Sequence, residues 1–275
     1  MRESKPTIYD PNFLPNMIYS GVPSWLNLSV VENDEDLKKI DAAVVGVPWE
    51  GGCTIGGYSS TTEGPKAVRS TSIRYTGFLP DYNLDCFDYL KVADSGDVAT
   101  QNGNYDFTFK SIRERIGKLA DAKIIPITIG GDHGIAYPII SEIAKRYPKK
   151  VGVLHFDAHL DNYSHFGDDE LSRCSPFYRV YNDPNMDPTK IAHIGIRGPR
   201  NHREEYNNAM KYGATVIRAI DVHEDGWKAS ISKALEVVSK DTEYIYITVC
   251  ADSLEEEGSR WRSWLPPGRE PGPWG

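Results

Sequence analysis

Few features in this sequence would suit secretion, membrane insertion or nucleic-acid binding. It has four cysteines in 275 residues, Cys53, Cys86, Cys174 and Cys250, and no two form a CxxC pair. That spacing fits neither a zinc knuckle nor a disulfide framework, so reduced thiols in a cytoplasmic protein are expected. The opening residues, MRESKPTIYDPNFLPN, lack the apolar stretch of a signal peptide. No apolar run approaches membrane-spanning length, so no membrane partner is expected. Basic residues are outnumbered, 31 Lys+Arg against 39 Asp+Glu, for a net charge of −8. That argues against a nucleic-acid partner, which would need a basic face, and leaves a reasonable host for a cationic substrate. Linkers, low-complexity inserts and internal repeats are absent before the C-terminal end. One domain is therefore expected over residues 1–255. A chain of this length buries roughly three quarters of its unfolded surface.

What is present alternates between two periods. Residues 1–40 are loop-rich, punctuated by Pro6, Pro11, Pro15 and Pro23. Strands are expected in DAAVVGVP (41–48), within YLKVADSGD (89–97), and in IIPITI, VGVLHF, KIAHIGIR (190–197), ATVIRAI (214–220) and YIYITV (244–249). Helices are expected at 64–75, with Pro65 in the first turn, and at 108–122, about 133–146, about 171–180, 202–212 and 228–240. Strands alternating with helices imply an α/β fold with a parallel sheet covered on both faces. Right-handed crossovers bring the strand C-termini to one edge.

Two motifs sit at strand ends. HFDAHLD (155–161) places Asp157, His159 and Asp161 at every second position, on one side if the chain stays extended. Two carboxylates and an imidazole suit a hard-to-borderline divalent metal, and open α/β sheets place their sites at this edge. TIGGDHG (128–134) ends a second strand, with Gly130 and Gly131 permitting a tight turn and His133 opening the next helix. The two clusters would lie side by side if their strands are neighbours. Asp132 reads as a capping or supporting carboxylate, and His155 and His193 as packed strand histidines. His202 and His223 lie among charged residues and read as solvated.

GGDHG and HFDAHLD resemble the two central signatures of the ureohydrolase family: arginases, agmatinases, guanidinobutyrases and formiminoglutamases. GVPSWLNL (21–28), GVPWEGGCTIGGYSSTTEGPKAVR (46–69) and SPFYR (175–179) extend the resemblance from about residue 20 to about 254, nearest the agmatinase-like branch. It implies an arginase-like three-layer α/β/α sandwich with a parallel sheet. It also implies manganese-dependent hydrolysis of a guanidino compound, agmatine-like, to urea and an amine by a metal-held hydroxide. A role in polyamine metabolism and a homo-oligomer, trimer or hexamer, go with it. Two Mn(2+) ions per subunit are implied, held by His133, Asp157, His159, Asp161 and Asp252, with Asp157 bridging. The resemblance points to Asp157 and His165 for catalysis and to Asn162, Arg173 and Ser175 for substrate.

Three departures qualify this. Cys250 stands where a metal-bridging Asp is expected, and its soft sulfur replaces a carboxylate poorly on manganese. Fewer than two ions are therefore expected here. Arg173 stands where the agmatinase-like pattern carries a His, and a guanidinium cannot serve as a general base. Residues 256–275 (EEGSRWRSWLPPGREPGPWG) show no periodicity and read as a frameshifted or truncated tail, or alternatively as a lineage-specific one folded over the site. A catalytically impaired homologue that binds a ligand or serves as an assembly subunit is the alternative function. A deacetylase on the same fold is disfavoured by the 46–69 and 175–179 segments.

Overall fold

The structure is a computed structural model that describes residues 5–12, 21–51 and 60–254. The expected irregular tail at 256–275 and most of the Gly-rich loop, with Cys53, lie outside the described residues. The chain divides into two compact units, residues 1–139 and 140–275. The boundary falls inside a helix, Ala136–Arg146, which is why no linker marks it in the sequence.

In the first unit the elements run α1 (Asp34–Leu37), β1 (Ala42–Val47), α2 (Gly64–Ser72), β2 (Phe78–Leu79), β3 (Leu84–Asp85), β4 (Val92–Asp97), α3 (Tyr105–Asp121) and β5 (Ile125–Gly130). β2 and β3 form a small antiparallel pair; β4, β1 and β5 form a parallel sheet in that order. β1, AAVVGV, is buried at every position, as a central parallel strand covered on both faces must be. α3 starts where Asn104 accepts the amide of Phe107 at 3.0 Å, and it buries Phe109, Ile112, Ile116 and Leu119 along one stripe.

α2 is tied to the sheet by charge. Arg69 Nε and Nη2 donate to the two carboxylate oxygens of Asp94 at 2.7 and 2.9 Å, and Nη1 donates to Asp97 at 2.5 Å. Asp94 also accepts the amides of Trp25 and Gly96, at 2.8 and 2.9 Å. Both Arg69 and Asp94 are buried, so neither charge has water as an alternative partner.

In the second unit the helix Ala136–Arg146 (α4) leads into β6 (Val151–Phe156), α5 (Pro176–Tyr181), β7 (Ile191–Ile196), α6 (Arg203–Tyr212), β8 (Thr215–Arg218), α7 (Ala219–Asp225), α8 (Trp227–Ser239) and β9 (Tyr244–Val249). The four strands form a parallel sheet in the order β8-β7-β6-β9. Leu154, Ala192, Ile194, Ile217, Val222, Ala234 and Val238 make one apolar cluster between sheet and helices. Each Leu, Ile or Val among them contributes about 1.5–3 kcal/mol on burial. α8 approaches β6 so closely that a Cβ at Gly152 would collide with the carbonyl of Val238. β9, read as apolar, nonetheless exposes Tyr244, Ile245, Ile247 and Val249, because it pairs with β6 along only one edge among the described residues.

The α/β class and the parallel arrangement are as the sequence implied; among the described residues the parallel strands form two sheets, β5 belonging to one and β6 to the other. Three boundaries also moved. The helix expected from about 171 begins at Pro176, since proline favours the first helical turn and pushes Ser175 out of it. The helix expected from about 133 starts as a 3-10 turn, His133–Ile135, and becomes α-helical only at Ala136. The strand expected to 220 stops at Arg218, whose amide donates to Asp221 at 2.7 Å and opens α7.

Removing the partner of a buried charge costs about 3–5 kcal/mol. Arg69→Ala is therefore expected to lose on that order in urea unfolding. Lys66→Ala, on the same helix with an exposed side chain, should lose less than about 0.5 kcal/mol.

Candidate metal centre

HFDAHLD does not continue as an extended strand. β6 ends at Phe156, the next residues bend, and Asp161 adopts φ +47°, a left-handed conformation that Asp tolerates better than most residues. The expected one-sided row is therefore replaced by a compact turn. The turn is held by Ile194 O and Ala158 O, which accept the amides of Asp157 and Arg197 at 3.1 and 2.9 Å. Asn201 clamps it too: its side-chain oxygen accepts Leu160 N at 3.0 Å and its Nδ2 donates to Ala158 O at 2.9 Å. Sequence reasoning missed Asn201, whose only signal was its place just after the strand KIAHIGIR.

The turn concentrates charge. Asp157 is buried, and its Oδ1 accepts the His159 amide at 2.7 Å. His159 Nδ1 lies 3.5 Å from the same oxygen and 3.0 Å from Asp252 Oδ2. Asp252 reaches the turn from the short 3-10 segment Ala251–Ser253 after β9, within hydrogen-bonding range of the Ala158 amide at 3.5 Å. One donor atom each from Asp157, His159 and Asp252 lie within 4.8 Å of one another. The hydrogen bond to Asp157, then that to Asp252, raises the His159 pKa to about 10 against the opposing effect of burial, with Asp161 adding at longer range. The two carboxylates thus favour the protonated imidazole. A divalent cation, bound by the neutral ring and the same two carboxylates, would answer that demand, and the oxygen-plus-nitrogen set suits manganese.

Asp161 acts on His159 through its charge and is in neither close donor group. His133 lies in the first unit at the start of its 3-10 turn, capped by Asp132, which accepts the Gly134 and Gly51 amides at 2.9 and 2.5 Å. The capping reading of Asp132 therefore agrees with its geometry. Gly131 is required there, since a Cβ would collide with the Trp49 carbonyl. Cys250 sits between β9 and Ala251, its amide donating to Phe156 O at 2.9 Å and its Sγ within 4.8 Å of an Asp157 oxygen.

Among the expected substrate and catalytic residues, His165 is exposed on a loop. Ser164 Oγ donates to Glu204 at 3.0 Å, so it accepts from His165 Nδ1 at 2.9 Å and leaves Nε2 bare. Arg173 is half-buried in the turn before α5. Asn162 and Ser175 are fully buried, which gives them no surface to offer a substrate here. Asn162 instead spends its amide on Tyr181 Oη and Glu205 O, at 3.3 and 3.0 Å. His155 and His193 are packed in the strands as expected, while His202 and His223 are exposed.

Residues 40–257 match the model of the Arginase family. The chain belongs to the arginase family. It is 30% identical over 220 residues to the guanidinobutyrase of Pseudomonas aeruginosa, covering 80% of this chain and 67% of that protein. It is 32% identical over 247 residues to the human mitochondrial guanidino acid hydrolase, covering 89% and 67%. Proclavaminate amidino hydrolase from Streptomyces clavuligerus superimposes with a TM-score of 0.74 at 26% identity, covering 84% of this chain and 74% of that one. A formiminoglutamase of Trypanosoma cruzi solved with Mn2+ shares the fold, with a TM-score of 0.69, 20% identity and coverage of 79% and 72%. The chain thus spans about two thirds of the length of these curated relatives. The expected family, arginase-like α/β fold and class, hydrolases of C–N bonds in linear amidines, stand.

Glu205, buried in the first turn of α6, gives a pH test. Burial, foremost, raises its pKa to about 7, while its Oε2 accepts the His202 amide at 2.9 Å. The folded state therefore binds this proton more tightly than the unfolded chain, whose glutamate titrates near 4.3. Its contribution is full below the unfolded value and is lost as pH rises towards 7. Glu205→Gln keeps the cap without the charge, so its stability should fall less than wild type between pH 4.5 and 7.5 in parallel denaturant titrations.

Proposed function

We propose that this chain binds manganese and hydrolyses a guanidino compound, agmatine or a short guanidino acid, to urea and an amine. The observation that carries the reading is the Asp157–His159–Asp252 donor group, whose ligand atoms lie within 4.8 Å of one another. His133 and Asp161 would complete the ligand set, as the family signatures imply. Bound manganese would supply a nucleophile at neutral pH by lowering the pKa of water from 15.7 towards 7. The chain's own residues do the rest. Asp157, fixed by buried hydrogen bonds, would orient the metal, and His165, whose Nδ1 bonds Ser164, would take up or hand on a proton at Nε2. Arg173, always charged, would select against a cationic tail and favour a guanidino acid over agmatine. A cytoplasmic homo-oligomer, trimer or hexamer, acting in polyamine or guanidino-acid metabolism, completes the proposal.

Cys250 supports a second reading, a homologue with a weakened site that binds ligand or assembles with active copies. Its sulfur faces Asp157 where a carboxylate would bind a hard cation better. Elemental analysis separates the two readings. Fewer than two tightly held manganese ions per chain are expected, and two would remove the argument from Cys250.

For catalysis, urea release from agmatine and 4-guanidinobutyrate should need manganese and vanish in both His133→Ala and Asp157→Ala. Turnover that survives chelation or both substitutions excludes the proposed mechanism. Cys250→Asp should tighten manganese binding at least about tenfold, ~1.4 kcal/mol. An unchanged dissociation constant would mean that position 250 does not face the metal.

A further inference from the structure

Behind Asp157 runs an unbroken line of buried polar groups. His155 Nε2 lies 3.0 Å from Asp157 Oδ2, and His155 Nδ1 lies 2.7 Å from His193 Nδ1. His193 Nε2 lies 2.6 Å from Tyr181 Oη, which accepts Asn162 Nδ2 at 3.3 Å. His155, His193 and Asn162 are wholly buried, and Tyr181 is nearly so. Phe177 holds the two rings in place, stacked on His155 at 4.1 Å and edge-on to His193 at 5.1 Å.

The bonds at the far end decide where the protons are. The Glu205 carbonyl only accepts, so the Asn162 amide nitrogen must face it, and that nitrogen also faces Tyr181. Tyr181 therefore accepts from Asn162 and donates its own hydroxyl hydrogen to His193 Nε2. Burial raises the Tyr181 pKa, so the phenol keeps that hydrogen. His193 then carries its proton on Nδ1 and donates to His155 Nδ1. His155 in turn carries its proton on Nε2 and donates to Asp157. The near end demands the same answer independently, because a carboxylate at 3.0 Å needs a donor on His155 Nε2.

We propose that Asn162, Tyr181, His193 and His155 form a one-directional hydrogen-bond chain that locks two opposite histidine tautomers, with His155 the positioning residue that fixes the Asp157 carboxylate for its metal. The inference rests on the metal-site reading above. It also gives the buried histidines and Asn162 one shared task. No ring in the chain needs to change charge, and each donor points towards Asp157.

The test uses the full-length protein with nitrogen-15 histidine labelling and no metal, followed by manganese titration. Ring-nitrogen shifts should show His155 protonated on Nε2 and His193 on Nδ1. Tyr181→Phe deletes one oxygen far from Asp157. It should scramble both tautomers and weaken manganese binding by about threefold to tenfold, the lower range of supporting-residue effects. His155→Leu should weaken it at least about tenfold. His155→Gln, which keeps an N–H near the Nε2 position, should recover binding to within about threefold of wild type. A His155 proton on Nδ1, or His155→Leu and Tyr181→Phe proteins that bind manganese as wild type does, overturns the proposal while leaving the metal reading intact. Wild type that binds no manganese overturns both. If His155→Leu does not fold, Tyr181→Phe alone decides.

Discussion

The buried carboxylate of Asp157 is the constraint on which the rest of the second unit turns. A charge taken out of water must be paired or hydrogen-bonded from every side. Here the His159 amide and His155 Nε2 bond its two oxygens, and His159 Nδ1 approaches from the open side. All three come from the same short stretch, residues 155–159, and the two from His159 explain the bend after β6. An extended strand would have carried His159 past Asp157, whereas the turn folds its amide back onto the carboxylate. The left-handed Asp161 is where that folding back ends, and the amide of Phe177 at the start of α5 ties down its carbonyl at 3.0 Å.

The same constraint accounts for the polar interior of an otherwise apolar sheet. His155 and His193 are directly paired across β6 and β7, in the position where the sequence period would put another Val or Ile. Burying two imidazoles there costs stability unless each nitrogen is satisfied. Tyr181, on a helix only six residues long, satisfies the last one. The brevity of α5 is thus less a failed helix than a bracket. It begins at Pro176, delivers Phe177 and Tyr181 four residues apart to one face, and ends.

Much of this was legible beforehand, and the limits are physical. Strand cores such as VGVLHF and KIAHIGIR announce themselves by continuous apolar runs, and α3 and α8 by their period. Asp157, His159 and Asp252 were readable because carboxylates and imidazole at strand ends have few cheap structural explanations. What stayed hidden were partnerships formed across long sequence distances. Asn201 clamps Ala158 from 43 residues away, and Tyr181 meets His193 from a separate helix. Nothing in either local pattern encodes such a contact. Asn162 shows the converse: adjacency to a metal motif suggested a substrate contact, yet its amide faces inward to Tyr181 and Glu205. The division into two sheets was equally unreadable, since strand period reveals pairing direction and burial but not which edge stays open.

Cys250 then sharpens a question of chemical hardness. Its backbone occupies a fully regular position, paired to Phe156 and followed by the 3-10 turn that carries Asp252. The geometry therefore presents a side chain to Asp157, and its donor atom is sulfur. An oxygen pair can bridge and neutralise hard cations; a single sulfur, protonated unless a metal or a base claims it, does neither well. Positive charge near Asp157 must then come from the remaining donors. The carboxylates of Asp157 and Asp252 favour a protonated His159, raising its pKa to about 10. A metal entering here would compete with that proton through the two carboxylates and the neutral ring.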